Sequence, residues 1–386
     1  MIYLDNNATT LMDDEILKRY IEVLQNPTIA NPHSSEHTFG WRAHNFIEDA
    51  METIAEAYGL VSDNVVFTSG ATEANNLAIF GTAETAYLSG SPRNRILVSS
   101  IEHKCVLNSA NHAQKLFGFT VETIPVDESG RVNLEALQSM LADDVLIVSI
   151  MAVNNEIGVI QYLEAISALV HSVGAIFHSD IAQAGYVEIN AFDLEIDLLS
   201  LSAHKLYGPK GIGALLMDKS ALSMLPTPIL HGGGQQEGLR AGTLSPALCD
   251  AFAHAVTKME QLRHEESHQL HLMCQSLLAR LDEAGINYQI NGTIEHRHPG
   301  NLNLSIEGID SRLLIARLAD KVAISSGSAC NSGVIERSYV LNALNLPDER
   351  INSAFRLCFG RNNRVEEVDL IAEHFIREIR YLQTNV

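Results

Sequence analysis

Four side chains in this sequence combine a reactive type with a setting suited to covalent chemistry: Lys205, Cys330, Asp180 and His103. Lys205 lies in Asp197-Leu-Leu-Ser-Leu-Ser-Ala-His-Lys-Leu-Tyr-Gly-Pro-Lys-Gly-Ile-Gly213, where an apolar strand ends on Ser202, His204 and the lysine before a glycine-rich turn. Desolvation and neighbouring positive charge can remove the proton from such a lysine, and a neutral amine forms a Schiff base with an aldehyde. Read alone, the segment also suits an ordinary loop lysine. Cys330 stands in Ser325-Ser-Gly-Ser-Ala-Cys-Asn-Ser-Gly333, a small-residue stretch that packs poorly as core. An accessible thiol there can act as a nucleophile and carry its cargo outward, provided its pKa is lowered.

Asp180 follows the apolar run Ala175 to His178, with Gln183 three positions on, so both can sit at the same sheet edge as Lys205. A buried carboxylate needs a cationic partner, and a protonated pyridine nitrogen supplies one. Helix capping is the simpler role for Asp180. His103, in Ser100-Ile-Glu-His-Lys-Cys-Val-Leu107, opens a helix past another strand, where an imidazole can stack on a flat ring and exchange protons. A metal site built on His103, Cys105 and His112 has no second ligand cluster to complete it. Cys105 is the rival nucleophile, near a helix start beside Lys104, whereas Cys249, Cys274 and Cys358 read as packing residues.

Two more segments place polar groups at the same edge. Phe67-Thr-Ser-Gly-Ala-Thr-Glu-Ala-Asn-Asn-Leu-Ala-Ile79 reads as strand, small-residue turn and helix, so the amides of Gly70, Ala71 and Thr72 converge on one spot suited to phosphate. A capping box fits those residues equally well. Asn154-Asn155-Glu156-Ile-Gly158 follows a strand and offers amides to a phenolic oxygen or a carboxylate, or forms a plain polar turn.

The elements that must hold these groups are short apolar strands at Asn64 to Thr68, Arg95 to Ser99, Asp144 to Ile150, Ala175 to His178, Asp197 to Leu201 and Gly211 to Met217. Helix-length amphipathic segments separate most of them, the pattern of a mainly parallel sheet covered on both faces. Ligands in such sheets collect at the carboxyl ends of strands. A long helical stretch from Ser245 to Ala284 reads as a connector to a smaller α/β domain with an antiparallel sheet, whose strand candidates are Asn301 to Ile306, Val322 to Ser325 and Ala354 to Phe359. The division expected is an N-terminal segment (1–15) that joins the small domain, a large domain (16–257) and a small domain (258–386).

The 386 residues suffice for such a two-domain core, and the net charge of −21 disfavours direct nucleic-acid binding. Five cysteines without a CxxC pair argue against a disulfide framework or thiolate zinc site and fit a reducing compartment. No apolar stretch reaches the roughly 18 residues of a membrane span, and the N-terminus lacks signal-peptide regions, so a cytoplasmic location is expected.

Together these segments resemble the cysteine desulfurases of the NifS/IscS type, pyridoxal-phosphate enzymes of the class V aminotransferase family. The likeness runs through Tyr3-Leu-Asp-Asn-Asn-Ala-Thr-Thr10, Asn31-Pro-His-Ser-Ser-Glu-His-Thr-Phe-Gly40, Ser69-Gly-Ala-Thr-Glu73, Glu102-His-Lys104, Val153-Asn-Asn-Glu-Ile-Gly158, Ser202-Ala-His-Lys205, His231-Gly-Gly-Gly234, Arg240-Ala-Gly-Thr243 and Ser325-Ser-Gly-Ser-Ala-Cys330. It implies the fold type I of pyridoxal-phosphate transferases, with a mainly parallel seven-stranded sheet in an α/β large domain plus a smaller α/β domain.

Residue by residue, the resemblance makes Lys205 the Schiff-base lysine, Asp180 the partner of the ring nitrogen, His103 the stacked acid/base group and Gln183 a ligand of the ring oxygen. Phosphate contacts fall to Ala71, Thr72, Ser202 and His204. Asn155 is placed near ring and substrate, and Arg356 pairs with the substrate carboxylate. Thr243 matches a phosphate ligand that reaches a neighbouring subunit, which implies a homodimer. The implied reaction converts L-cysteine to L-alanine through a persulfide on Cys330, whose sulfur then passes to an acceptor protein. The polar stretch around Cys330 resembles the long-loop group. Leu11 replaces a common proline, and the chain stops at Val386 soon after its last helix, which weakens the expectation of the standard scaffold partnership. An aminotransferase or selenocysteine lyase of the same fold, or a sulfur-carrier assembly component, would share much of this equipment.

Overall fold

A computed structural model describes residues 1–326 and 337–385. Its strands, in chain order, are Ile2–Tyr3 (β1), Val65–Thr68 (β2), Arg95–Ser99 (β3), Thr120–Ile124 (β4), Val145–Ser149 (β5), Ile176–Asp180 (β6), Leu198–Ser202 (β7), Gly213–Met217 (β8), Tyr288–Ile290 (β9), Asn301–Ile306 (β10), Val322–Ala323 (β11) and Ala354–Cys358 (β12). Seven form one sheet in the order β2-β8-β7-β6-β5-β3-β4, parallel except that β8 runs against both neighbours.

Alternation of side chains along each strand builds a core on each face of this sheet. Leu97, Val148, Phe177 and Leu199 point into one core with Phe67 and Phe252, while Ile96, Val98, Ile147 and Leu198 point into the other with Leu77, Ile79 and Val106. Both faces are covered, which is why the strands read as continuous apolar runs.

β4 was not expected from the sequence. Of its Thr-Val-Glu-Thr-Ile residues only Ile124 is buried at the sheet edge, where β3 pairs with them, so no apolar run marks it. β6 also runs further than expected: Asp180 pairs with Ser200 and is the last residue of the strand.

The connector is one helix, Pro246–Glu283, started by the Ser245 hydroxyl accepting from the Leu248 amide. Its 38 residues span about 57 Å. Phe252, Val256 and Met259 pack into the large core, whereas Leu270, Met273, Cys274 and Leu277 enter a separate one. That second core gathers Leu304, Phe355, Leu357 and Phe375 under the antiparallel sheet β12-β10-β9. Leu4 belongs to it as well, and β1 pairs in parallel with β11, so the first residues of the chain close the smaller unit. Among the described residues, no helix is long and apolar enough to cross a membrane.

Candidate active site

Five strand ends bring the candidate residues to one edge of the large sheet. β6 ends on Asp180, and β7 ends on Ser202, after which a single turn, Ala203–Lys205, presents His204 and Lys205. The Lys205 amine donates to the carbonyls of Asn7 and Ala8, the latter at 2.9 Å. The backbone carbonyl of His204 accepts from Thr10, and its Nδ1 lies 3.0 Å from the Thr9 hydroxyl. Burial, with help from Lys205 and Lys210, pushes His204 down to about 4, so its imidazole is neutral at ordinary pH. The N-terminal segment thus forms one wall of the lysine's surroundings.

Asp180 is 5% exposed. One oxygen accepts from the Asn75 amide at 2.7 Å and the other from the Ala182 backbone at 2.9 Å, neither of which carries a charge. His103 caps the helix Lys104–Phe117 by accepting the Cys105 amide at Nδ1, 3.2 Å away. Burial lowers the His103 pKa; Asp180 opposes that, while Lys205 and Lys104 add to it. Cys105 is driven the other way, up to about 12 by burial, with Asp180 adding to the rise. That rise favours the thiol over the thiolate and so disfavours Cys105 as the nucleophile.

The turn between β2 and the helix that starts at Ala71 depends on two glycines. Gly70 has a φ of +151°, and a Cβ on Gly213 in β8 would lie 2.6 Å from the Gly70 Cα. The Glu73 carboxylate accepts from the Ser69 amide at 2.6 Å and from Arg240 at 2.8 Å. Gly70 is the N-cap and no side chain caps it, so the expected capping box is not formed: Glu73 reaches past Gly70 to Ser69, and the Ala71 and Thr72 amides precede the first intrahelical bond, Ala74 to Gly70. Ser202 lies beneath the same turn, with its hydroxyl 3.7 Å from where a Gly70 Cβ would stand.

Arg356, in β12, comes from the smaller unit. It is 4% exposed, donates to the Asn155 carbonyl at 2.8 Å and pairs with Asp5 at 2.6 Å. Its Nε and the Asn155 Oδ1 are buried with no partner among the described residues. Gln183 closes its amide with Asn7, and Thr243 is exposed on the loop before the long helix. Cys330 lies outside the described residues; Ser325, just before that stretch, pairs with Arg356 through two backbone hydrogen bonds.

A family model of class-V aminotransferases matches residues 2–371. The chain belongs to this family. Over 384 residues it is 39% identical to the cysteine desulfurase IscS of Rickettsia bellii, covering 99% of this chain and 92% of that protein. A solved NifS-like protein superposes with a TM-score of 0.90 at 31% identity, covering 98% of this chain and 99% of that one. The structure of SspA in complex with cysteine gives 0.80 at 31% identity, with 93% and 99% covered.

Class-V aminotransferases of this kind depend on pyridoxal phosphate, and the residues present fit that group. Asp180 is a buried carboxylate whose contacts are uncharged, the setting in which a protonated ring nitrogen is favourable. The orphaned Asn155 Oδ1 and Arg356 Nε mark further unused polar capacity in the same region. Asn75, Asn7 and Asp5 are parts of this class-V aminotransferase site that sequence reasoning passed over. Helical spacing offered a signal for Asn75, which is one turn beyond Ala71 on the same face. Asp5 and Asn7 lie in the Tyr3–Thr10 motif but drew no role from it, and Asp5 meets Arg356 across 351 positions.

Proposed function

We propose that this class-V aminotransferase is a pyridoxal-phosphate-dependent cysteine desulfurase that converts L-cysteine to L-alanine and delivers the sulfur to an acceptor protein. Similarity along nearly the whole chain to curated cysteine desulfurases is the observation that carries this reading over amino transfer.

When bound, pyridoxal phosphate supplies an aldehyde and an electron-withdrawing ring that makes the Cα proton of an attached amino acid acidic. In the proposed assignment, Asp180 would hold the proton on the ring nitrogen, and Lys205 would hold the cofactor aldehyde and serve as the base for the Cα proton. The Ala71 and Thr72 amides, Ser202 and His204 take the phosphate, while Gln183 and Asn155 face the ring oxygen. Arg356 binds the substrate carboxylate, for which its planar fork is suited, and Asp5 holds the guanidinium until substrate arrives.

Cys330 is the proposed nucleophile. Its thiolate attacks the substrate sulfur, an S–S bond forms, the Cβ–S bond breaks, and the departing carbon keeps the electron pair. That carbon takes a proton and becomes the methyl group of alanine, with His103 handling protons on substrate and product. We further propose a cytoplasmic homodimer in which Thr243 serves the partner's phosphate site. Its exposure supports this, as do exposed Phe39, Trp41, Leu225 and Leu230. The two cores support a division into a larger unit and a smaller one that Leu4 of the segment 1–15 joins; of the residues 258–386, Met259, Val340, Leu341, Leu344, Ile351 and Ala354 pack into the larger core.

Purified protein incubated with L-cysteine is expected to form alanine and a persulfide on Cys330, found by peptide mass spectrometry. Alanine production without protein-bound sulfane sulfur would refute the reading.

A further inference from the structure

Cys105 is a half-buried thiol that the proposed reaction leaves unused. Its sulfur lies 2.9 Å from Nδ1 of His103 and 3.1 Å from Nδ2 of Asn75, and the same Asn75 nitrogen lies 2.7 Å from Oδ2 of Asp180. The direction of each bond follows from chemistry. The Asp180 carboxylate only accepts, so the Asn75 atom facing it is the NH2 group, whose second hydrogen is directed at the sulfur. The backbone N–H of Cys105 only donates, and it too faces Nδ1 of His103, at 3.2 Å. Nδ1 is therefore the unprotonated nitrogen, and the sulfur contact is S–H donating to it. A neutral imidazole has one N–H, which then stands on Nε2.

We propose that Cys105 is a positioning residue for His103: its thiol, anchored by Asn75 to Asp180, joins its own backbone amide in donating to Nδ1 and so stabilises the neutral ring with its exchangeable proton on Nε2. The proposal rests on the reading of His103 as the acid/base group. It joins the two polar jobs of the site, because the carboxylate assigned to the ring nitrogen also orients, through Asn75 and Cys105, the imidazole assigned to proton transfer. Burial keeps the sulfur protonated, with a pKa of about 12, so the donor is present throughout the working pH range. A donor on Nδ1 favours the neutral ring over the charged one. The other titratable groups around His103 are Asp180, Lys205 and Lys104, with Glu102 next to it in sequence, its pKa raised well above the usual carboxylate range by burial. None of these changes when Cys105 is replaced.

Cys105→Ala removes the donor, and Cys105→Ser substitutes a hydroxyl for it. In purified holoenzyme with ring-labelled histidine, the His103 titration is followed by NMR, and kcat for alanine formation is recorded across pH. We expect Cys105→Ala to raise the His103 midpoint by about half to one pH unit, and the acidic limb of kcat to move with it, because one hydrogen bond to the neutral form is lost. Cys105→Ser restores both, and KM for cysteine stays unchanged in both variants. If alanine disrupts the helix start, Cys105→Val removes the donor at similar volume and is read in the same way. A midpoint that does not move in the alanine or valine variant overturns the proposal, as does a serine variant that behaves like alanine. Normal kcat in His103→Ala would overturn the acid/base reading itself and the proposal with it. Depressed kcat in His103→Ala with an unmoved midpoint in Cys105→Ala would overturn this proposal alone.

Discussion

Asn7 and Gln183 exchange two hydrogen bonds: Nδ2 of Asn7 donates to Oε1 of Gln183 at 3.0 Å, and Nε2 of Gln183 donates back to the Asn7 carbonyl at 2.8 Å. The same carbonyl accepts from Lys205, and the Asn7 Oδ1 accepts from Asn301 at 2.8 Å. One buried asparagine thereby ties the N-terminal segment to β10 and to the lysine at the end of β7. Asn7→Ala leaves Gln183 Oε1 unpaired, while Asn301 Nδ2 keeps the Glu156 carbonyl at 3.3 Å as an acceptor, so urea denaturation should register a loss of about 1–3 kcal/mol. The carbonyl remains, so borohydride should still fix the cofactor on Lys205 in the variant.

Asp180→Asn preserves the side chain's shape and removes its charge. Its single oxygen keeps one of the two donors, Asn75 or the Ala182 amide, while the other faces the new NH2 group at a cost of about 1–3 kcal/mol, which the fold should survive. What is lost is the counter-charge for a protonated ring nitrogen. Alanine formation is expected to fall by at least about 10²-fold, and cofactor to dissociate faster on dialysis. Activity within a few-fold of normal would mean that the ring nitrogen is held elsewhere.

Most of the large sheet was legible because its strands are short apolar runs buried on both faces, and the chemistry was legible because Lys205, Asp180 and His103 lie at or just beyond the ends of such runs. β4 escaped because an exposed edge strand has no need of apolar residues. The Asp5–Arg356 pair and the Asn7–Gln183 exchange escaped for another reason: both join segments far apart in sequence whose meeting depends on how the smaller unit folds back. Cys105 was legible as a thiol near a helix start, but its protonation depended on shielding that only packing reveals.

The two cysteines predict opposite outcomes when each becomes serine. Cys330→Ser should keep the cofactor's yellow colour, since Lys205 and Asp180 are untouched, yet form no persulfide. Cys105→Ser should desulfurate cysteine with its persulfide on Cys330, because a hydroxyl can donate to His103 as the thiol does. Labelling with a thiol-reactive probe after cysteine treatment, followed by peptide mapping, reads both. Loss of persulfide in Cys105→Ser but not in Cys330→Ser would exchange the two roles.

His178 gives the protein a specific sensitivity to acid. Its ring is fully buried in β6, with Nδ1 2.8 Å from the Ser149 hydroxyl and Nε2 3.0 Å from that of Ser200. Burial depresses its pKa from 6.5 to about 3. Below pH 6.5 the unfolded chain therefore takes up a proton that the folded protein refuses until about pH 3. The stability due to neutral His178 is complete above pH 6.5 and is lost as pH falls towards 3, about 2 kcal/mol of it by pH 5. His178→Gln can still bond both hydroxyls but does not titrate. Urea denaturation at pH 7 and pH 5 should show wild type losing about 2 kcal/mol more than the variant over that interval. His204 and His298, both depressed to about 4, are common to the two proteins and cancel in the comparison. Equal losses would mean that His178 is solvated or charged in the native state, contrary to its place between two hydroxyls in the sheet.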